Sequence, residues 1–321
     1  MRVRTIASVA GFALLLSACQ KTTKLSQDPK DSSSGTGGST AMTLTVNNTN
    51  PFNFVGASHN NALDLIGSNA NFATLTDQAV HDIVEAYSNT NLNIPATTYA
   101  TQQNVIEYAN YDLTHTLNIP NELKTVGSIT EDVRQGLVAL QSALGINKPL
   151  TQITSMSDVK TPAQATTSVQ TLEQAIIQQY GAPTTLNLNR TIDLTTNDGK
   201  ATYLLIACAI GKYSYYYWHE MLNQPTNNWY VVFDQGGSTS APGPVTMSGP
   251  GKVLKAVGNW FARAGADVGG FLSAGSVGAG ASRNPATGQV TPSGSYSVKI
   301  GDGIKAGKEA SANKRKEQEG D

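Results

Sequence analysis

Residues 201–222 contain Leu204-Leu205-Ile206-Ala207-Cys208-Ala209-Ile210 and stay apolar around most of a helical circumference. A helix without a polar face must be surrounded, either by protein or by lipid. Lipid is the poorer surround, because Lys212 would cost ~2.5–3.5 kcal/mol near a bilayer centre and the tyrosine-rich end is only half apolar. The stretch therefore predicts the central helix of a bundle, and its neighbours must each offer one apolar stripe.

Such stripes are present. Ile129, Val133, Leu137, Leu140 and Leu144 recur at helical spacing, with Ser128-Ile129-Thr130-Glu131 as a capping box before them and Gly145 as the stop. Thr161-Pro162 opens a second stripe of Ala165, Val169, Leu172, Ile176 and Tyr180, ended by Gly181. Fainter helical periods run through residues 55–66, 76–87 and 101–117. Leu186, Leu188, Ile192 and Leu194 alternate, and Trp229-Tyr230-Val231-Val232-Phe233 is a short apolar run; both predict short strands as a minor element. The expected fold is mainly α, a helical bundle around a central apolar helix, occupying residues 46–235.

Beyond this domain, residues 236–251 are rich in Gly, Pro and Ser and read as a linker or loop. Gly258, Ala262, Ala266, Gly270, Ala274, Gly278 and Ser282 then place a small residue at every fourth position. On a helix over residues 252–282 this makes one smooth face that another backbone can approach closely. Arg263 and Asp267 interrupt the face, and the charge-free run 268–282 is too short for a ~30 Å hydrocarbon core, so packing on the domain or self-association is favoured over insertion. Residues 283–321 are polar and read as a disordered tail.

The chain begins with a different signature. Arg2 and Arg4 precede an apolar run through Leu14-Leu15-Leu16, which ends in Ser17 and Ala18. This is a secretory signal layout, short of the ~20 residues of a spanning helix. Leu16-Ser17-Ala18-Cys19 resembles the lipobox of bacterial lipoproteins processed by signal peptidase II. The resemblance implies cleavage of residues 1–18 and a diacylglycerol and N-acyl lipid on Cys19. Two or three acyl chains on one residue hold a protein stably where a single chain does not. Gln20, where Asp would imply inner-membrane retention, implies the outer membrane, on its periplasmic or its surface face. Residues 19–45, with Ser33-Ser34-Gly35-Thr36-Gly37-Gly38-Ser39, form a flexible tether whose reach is about 25 Å. With Cys19 lipidated, Cys208 has no partner for a disulfide, and stability must come from packing.

The formal charge of −1 and the absence of a concentrated basic face give no support to a nucleic-acid partner. Catalytic patterns fail one by one. His219-Glu220 lacks a second histidine, since Asn223 stands there; the phosphate-loop pattern fails at Thr246 and Val253. Ala274-Gly275-Ser276-Val277-Gly278 resembles a nucleophile elbow, but every histidine precedes it. His59 shares an apolar face with Val55, Ala62 and Ile66 and reads as a hydrogen-bonded core histidine. Asp77, His81 and Glu85 share one stripe at spacings of four; they are candidate metal or ligand groups, though an ordinary solvated row of charges is the plainer reading. Tyr213, Tyr216, Tyr217 and Trp218 are candidate binding aromatics for a glycan or protein partner. Cys208 reads as a buried small hydrophobe.

Asn50-Pro51-Phe52-Asn53-Phe54-Val55-Gly56, followed by His59-Asn60, resembles the opening motif of a group of Gram-negative envelope lipoproteins to which no activity is assigned. It marks where the domain starts and makes Asn60 a candidate ligand residue beside His59. The expectation is a lipid-anchored envelope protein that binds or scaffolds without catalysis and without a cofactor. Two alternatives stand beside it: an envelope hydrolase or metal-dependent enzyme with a site assembled from distant residues, and a membrane-active or self-assembling protein acting through the Gly/Ala-rich segment, as in a homo-oligomer.

Overall fold

Thr161 shows how local chemistry starts these helices: its Oγ1 accepts from Gln164 N at 3.3 Å while Gln164 Oε1 accepts from Thr161 N at 2.9 Å, a reciprocal box with Pro162 in the first turn. Removing the hydroxyl in Thr161→Ala should lower stability by about 1 kcal/mol, read as a shift in the urea midpoint. Thr76 caps its helix by accepting from Ala79 N, without the reciprocal bond, and Asn93, at φ 53°, closes that helix in the left-handed conformation. Gly145 ends its helix at φ 77°. The box expected at Ser128 does not form. Thr130 is the N-cap residue, its hydroxyl donates to Asp132 instead, and Ser128 is buried.

The computed structural model describes residues 44, 49–99, 113–147, 158–221, 224, 227–230, 250–277, 282–283, 290–291 and 296–319. The fold is mainly α. In chain order the helices are α1 (Asn53–Gly67), α2 (Asp77–Leu92), α3 (Leu113–Thr125), α4 (Glu131–Leu144), α5 (Pro162–Tyr180), α6 (Asn197–Met221), α7 (Pro250–Val277) and α8 (Ile300–Glu319). The strands are β1 (Thr191–Asp193), β2 (Ser282–Arg283), β3 (Val290–Thr291) and β4 (Ser297–Lys299). β1 pairs antiparallel with β4, Ile192 opposite Val298, and β2 pairs antiparallel with β3. Cys19, the tether and the 236–249 stretch lie outside the described residues, as do residues 100–112 of the helix expected over 101–117.

α6 is buried without interruption from residue 201 to 212 and packs against α1, α4, α5 and α7. Its crossing with α1 is close: a Cβ at Gly56 would lie 2.6 Å from Ala209 O. The small-residue segment is helix α7 as far as Val277, while Ser282, expected on the same helical face, lies instead in β2; the partner of the helix is in the same chain. A Cβ at Gly270 would lie 2.6 Å from Ala306 O, and one at Gly307 would lie 2.7 Å from Asp267 O, so α7 and α8 meet backbone to backbone. Ala266 and Ala310 pack together in the same interface.

α8 corrects the expected disordered tail. Residues 303–312 are all buried, because glycine and alanine let the helix sit directly on α7 while its charges find partners on α2. The strand expected at Trp229-Tyr230 is also corrected: these residues lie in a helical turn, and Val231-Val232-Phe233 are outside the described residues. Trp229 is held there by Nε1 donating to Leu63 O at 3.1 Å and by an edge-on contact with Phe72. Among the described residues no helix is long and apolar enough to cross a membrane.

Candidate functional site

The residue types that could carry chemistry converge in three buried networks. Each joins elements far apart in sequence.

The first explains the Asn50-Pro51-Phe52-Asn53 run. Lys212 of α6 and Glu173 of α5 form an ion pair with no solvent exposure, Nζ lying 2.8 and 3.0 Å from the two carboxylate oxygens. Asn50 Nδ2 donates to Glu173 Oε1 at 2.7 Å and to Leu205 O at 2.8 Å, while its Oδ1 accepts from Phe52 N and turns the chain into α1. Asn53 Oδ1 accepts from Lys212 Nζ at 2.7 Å. A buried ion pair needs these extra hydrogen bonds to offset the cost of removing two charges from water. Two helical turns further along α1, Asn60 Nδ2 donates to Tyr213 O, so Asn60 serves to fasten α1 to α6.

In the second network Asp267 of α7 stands between His59 and Ser214. His59 Nε2 is 3.0 Å from Asp267 Oδ1, an ion-pair approach whose angles are not those of a hydrogen bond. Asp267 Oδ2 accepts from Trp218 Nε1 at 2.8 Å and from the Ser214 hydroxyl. Ser, His and Asp are together, but in the wrong order for nucleophilic catalysis. The imidazole must lie against the serine oxygen to take its proton, whereas here the carboxylate separates them, and His59 and Asp267 are fully buried. Beside them the Arg263 guanidinium lies 4.7 Å from the Trp218 ring centre and 5.2 Å from that of Trp229, and Nη1 donates to Ser311 O on α8.

The third network holds the candidate metal stripe, and here the solvated reading is corrected. His81 and Glu85 are buried, and the acid completing their cluster is Glu309 on α8, not Asp77. His81 Nδ1 is 3.0 Å from Glu309 Oε1, and Nε2 is 3.1 Å from Thr97 O. Both oxygens of Glu85 are taken, by Thr97 N and Oγ1 and by Lys305 Nζ at 3.1 and 3.2 Å. His81, Glu85 and Glu309 offer donor atoms within 4.8 Å of one another, a span that fits one cation. Yet the Lys305 ammonium already stands on Glu85 and the His81 nitrogens already face acceptors. The arrangement is an internal ion network.

The candidate aromatics divide. Trp218 and Tyr217 are core residues, Tyr217 donating to Asp64 Oδ1 at 2.9 Å, while Tyr213 and Tyr216 are half-buried and leave only part of the expected platform at the surface. Cys208 is buried as expected, and burial pushes its thiol well above the ordinary range, the opposite of activation.

Sequence reasoning missed Glu173, Asp267, Lys305, Lys308 and Glu309. A signal for α8 existed: Gly303 and Gly307, like Ala306 and Ala310, repeat at the same interval of four as the α7 ladder. No protein-family model, curated protein or solved structure matches this chain.

Proposed function

We propose that this chain is a lipid-anchored protein of the bacterial cell envelope whose helical body binds or scaffolds other molecules without turning over a substrate. The observation that carries the reading is Leu16-Ser17-Ala18-Cys19 behind a basic, apolar leader and ahead of a Ser/Gly/Thr-rich tether. Lipid on Cys19 would supply the membrane attachment, and Gln20 favours the outer membrane. The interior supports the non-catalytic half. Ser214, His59 and Asp267 in one network, and Glu173 and Lys212 in another, are the residues from which a hydrolytic site would be built, and each set is engaged internally in pinning helices together. Of the four candidate aromatics, Tyr213 and Tyr216 keep part of their surface exposed, where a protein or glycan partner would meet them.

Expression in a Gram-negative host with radiolabelled palmitate tests the anchor. The wild-type chain should take up label and fractionate with membranes; Cys19→Ser should lose both. Mass spectrometry finding an unmodified Cys19 in native material would end the reading. Metal analysis tests the other half, where stoichiometric zinc that disappears in His81→Ala would replace a binding role with metal chemistry.

A further inference from the structure

α8 is a polar helix held in an interior. Lys305, Lys308 and Glu309 have no solvent exposure. On its α7 side it offers backbone and methyl groups, so its docking charges all face α2, the 94–97 segment and α1. Lys305 reaches Glu85, Pro95 O and Thr97 Oγ1; Lys308 Nζ reaches Ser88 Oγ at 3.0 Å and Ser58 Oγ at 3.4 Å, with the Tyr87 ring 5.0 Å away. His81 faces Glu309 from α8, Glu85 one turn along α2, and Thr97 O with the Tyr99 ring from the following segment; Asp302 lies 3.8 Å from Lys305.

Two consequences follow from this geometry. Each His81 nitrogen faces an oxygen, and a neutral imidazole has one N–H, so with Glu309 ionised only the protonated ring satisfies both. Counted among His81, Lys305, Glu85 and Glu309, the protonated ring makes two positive charges against two negative; Lys308, lowered to about 7, adds a positive charge below neutral pH and none above it. Loss of the His81 proton leaves a buried negative charge uncompensated, which a low-dielectric interior opposes strongly.

We propose that this cluster is a proton-operated latch on the C-terminal helix: α8 stays docked while His81 carries both ring protons and loosens locally when one is lost. Burial alone would lower the His81 pKa, but the hydrogen bond and charge of Glu309, with Thr97 O and Glu85 behind them, outweigh it and raise it. Burial pushes Glu309 up as well, against the pull of His81. Both shifts have one sign. The stabilisation is complete below the unfolded histidine value of about 6.5 and is lost as pH rises through the higher folded value. Lys308 acts oppositely: burial and the neighbouring Lys305 lower it from 10.5 to about 7, so its contribution grows from neutral pH upward.

The test uses the full chain, with Lys308→Met to remove the opposing titration and His81→Gln to remove the latch. Imidazole NMR of the wild type should show His81 losing its second ring proton at a higher pH than the unfolded histidine value of about 6.5. Hydrogen exchange, corrected for its intrinsic pH dependence, should show α8 protection in Lys308→Met falling at least tenfold relative to α6 as His81 titrates. In His81→Gln the ratio should be flat. A His81 that loses its second ring proton at or below about pH 6.5 in the wild type, or an α8-to-α6 ratio that does not change with pH in Lys308→Met, overturns the proposal. The wild-type titration decides alone if the variant does not fold.

Discussion

Lys212→Met should destabilise the protein by about 3–5 kcal/mol, the cost typical of leaving one member of a buried ion pair without its partner. Among the described residues Glu173 would keep only Asn50 Nδ2 as a hydrogen-bond donor, and Asn53 Oδ1 would lose the ammonium it now accepts from. The double replacement Glu173→Leu with Lys212→Met should recover most of that loss, because two apolar side chains of similar length impose no desolvation cost. Recovery should be incomplete, since Asn53 loses its bond to Lys212 and Asn50 its bond to Glu173. The measurement is a double-mutant cycle from urea midpoints at constant slope. Additive single effects, or a Lys212→Met variant within about 1 kcal/mol of wild type, would show that the pair does not hold α5, α6 and the start of α1 together.

The same pair marks where the sequence stopped being readable. The helical class of the fold was legible because α4 and α5 each show an apolar stripe with a stop residue, and the uninterrupted apolar run of α6 required neighbours. α8 was hidden, since burial through Gly303, Gly307 and paired charges leaves no apolar periodicity. For the same reason His81 and Glu85 read as a wet stripe: their partners are more than two hundred residues away, and only the fold brings Lys305 and Glu309 to them. Ser128 failed as a cap for a local reason. Thr130 takes the N-cap position without a side-chain cap hydrogen bond, its hydroxyl donating to Asp132 instead. Trp229 failed because a short apolar run does not distinguish strand from helical turn; the Leu63 carbonyl that accepts its indole N–H is a tertiary partner. His59 was placed correctly in the core, but its partner Asp267 was seen only as an interruption of the ladder.

Gly270→Ala should destabilise the protein even though it improves local helix propensity. In an exposed helix, alanine in place of glycine gains up to about 1 kcal/mol. Here the new Cβ would lie 2.6 Å from Ala306 O and 2.9 Å from both Ala306 C and the Ala310 methyl; two of these are backbone atoms of a packed helix, which cannot turn aside as a side chain can. Overpacking of this kind costs about 1–3 kcal/mol and should outweigh the propensity gain. The loss should concentrate in α8, where Gly303 and Gly307 make the reciprocal close approaches to Phe271 O and Asp267 O. Urea unfolding gives the sign, and hydrogen exchange gives the place: protection should fall in residues 303–312 and stay unchanged in α5. Sedimentation separates this from the self-assembly reading. If the ladder at Gly270 faced a second copy, the methyl would change the oligomeric state and leave monomer stability no lower than before. A packed intramolecular face predicts the reverse, because α8 already occupies the approach a second copy would need.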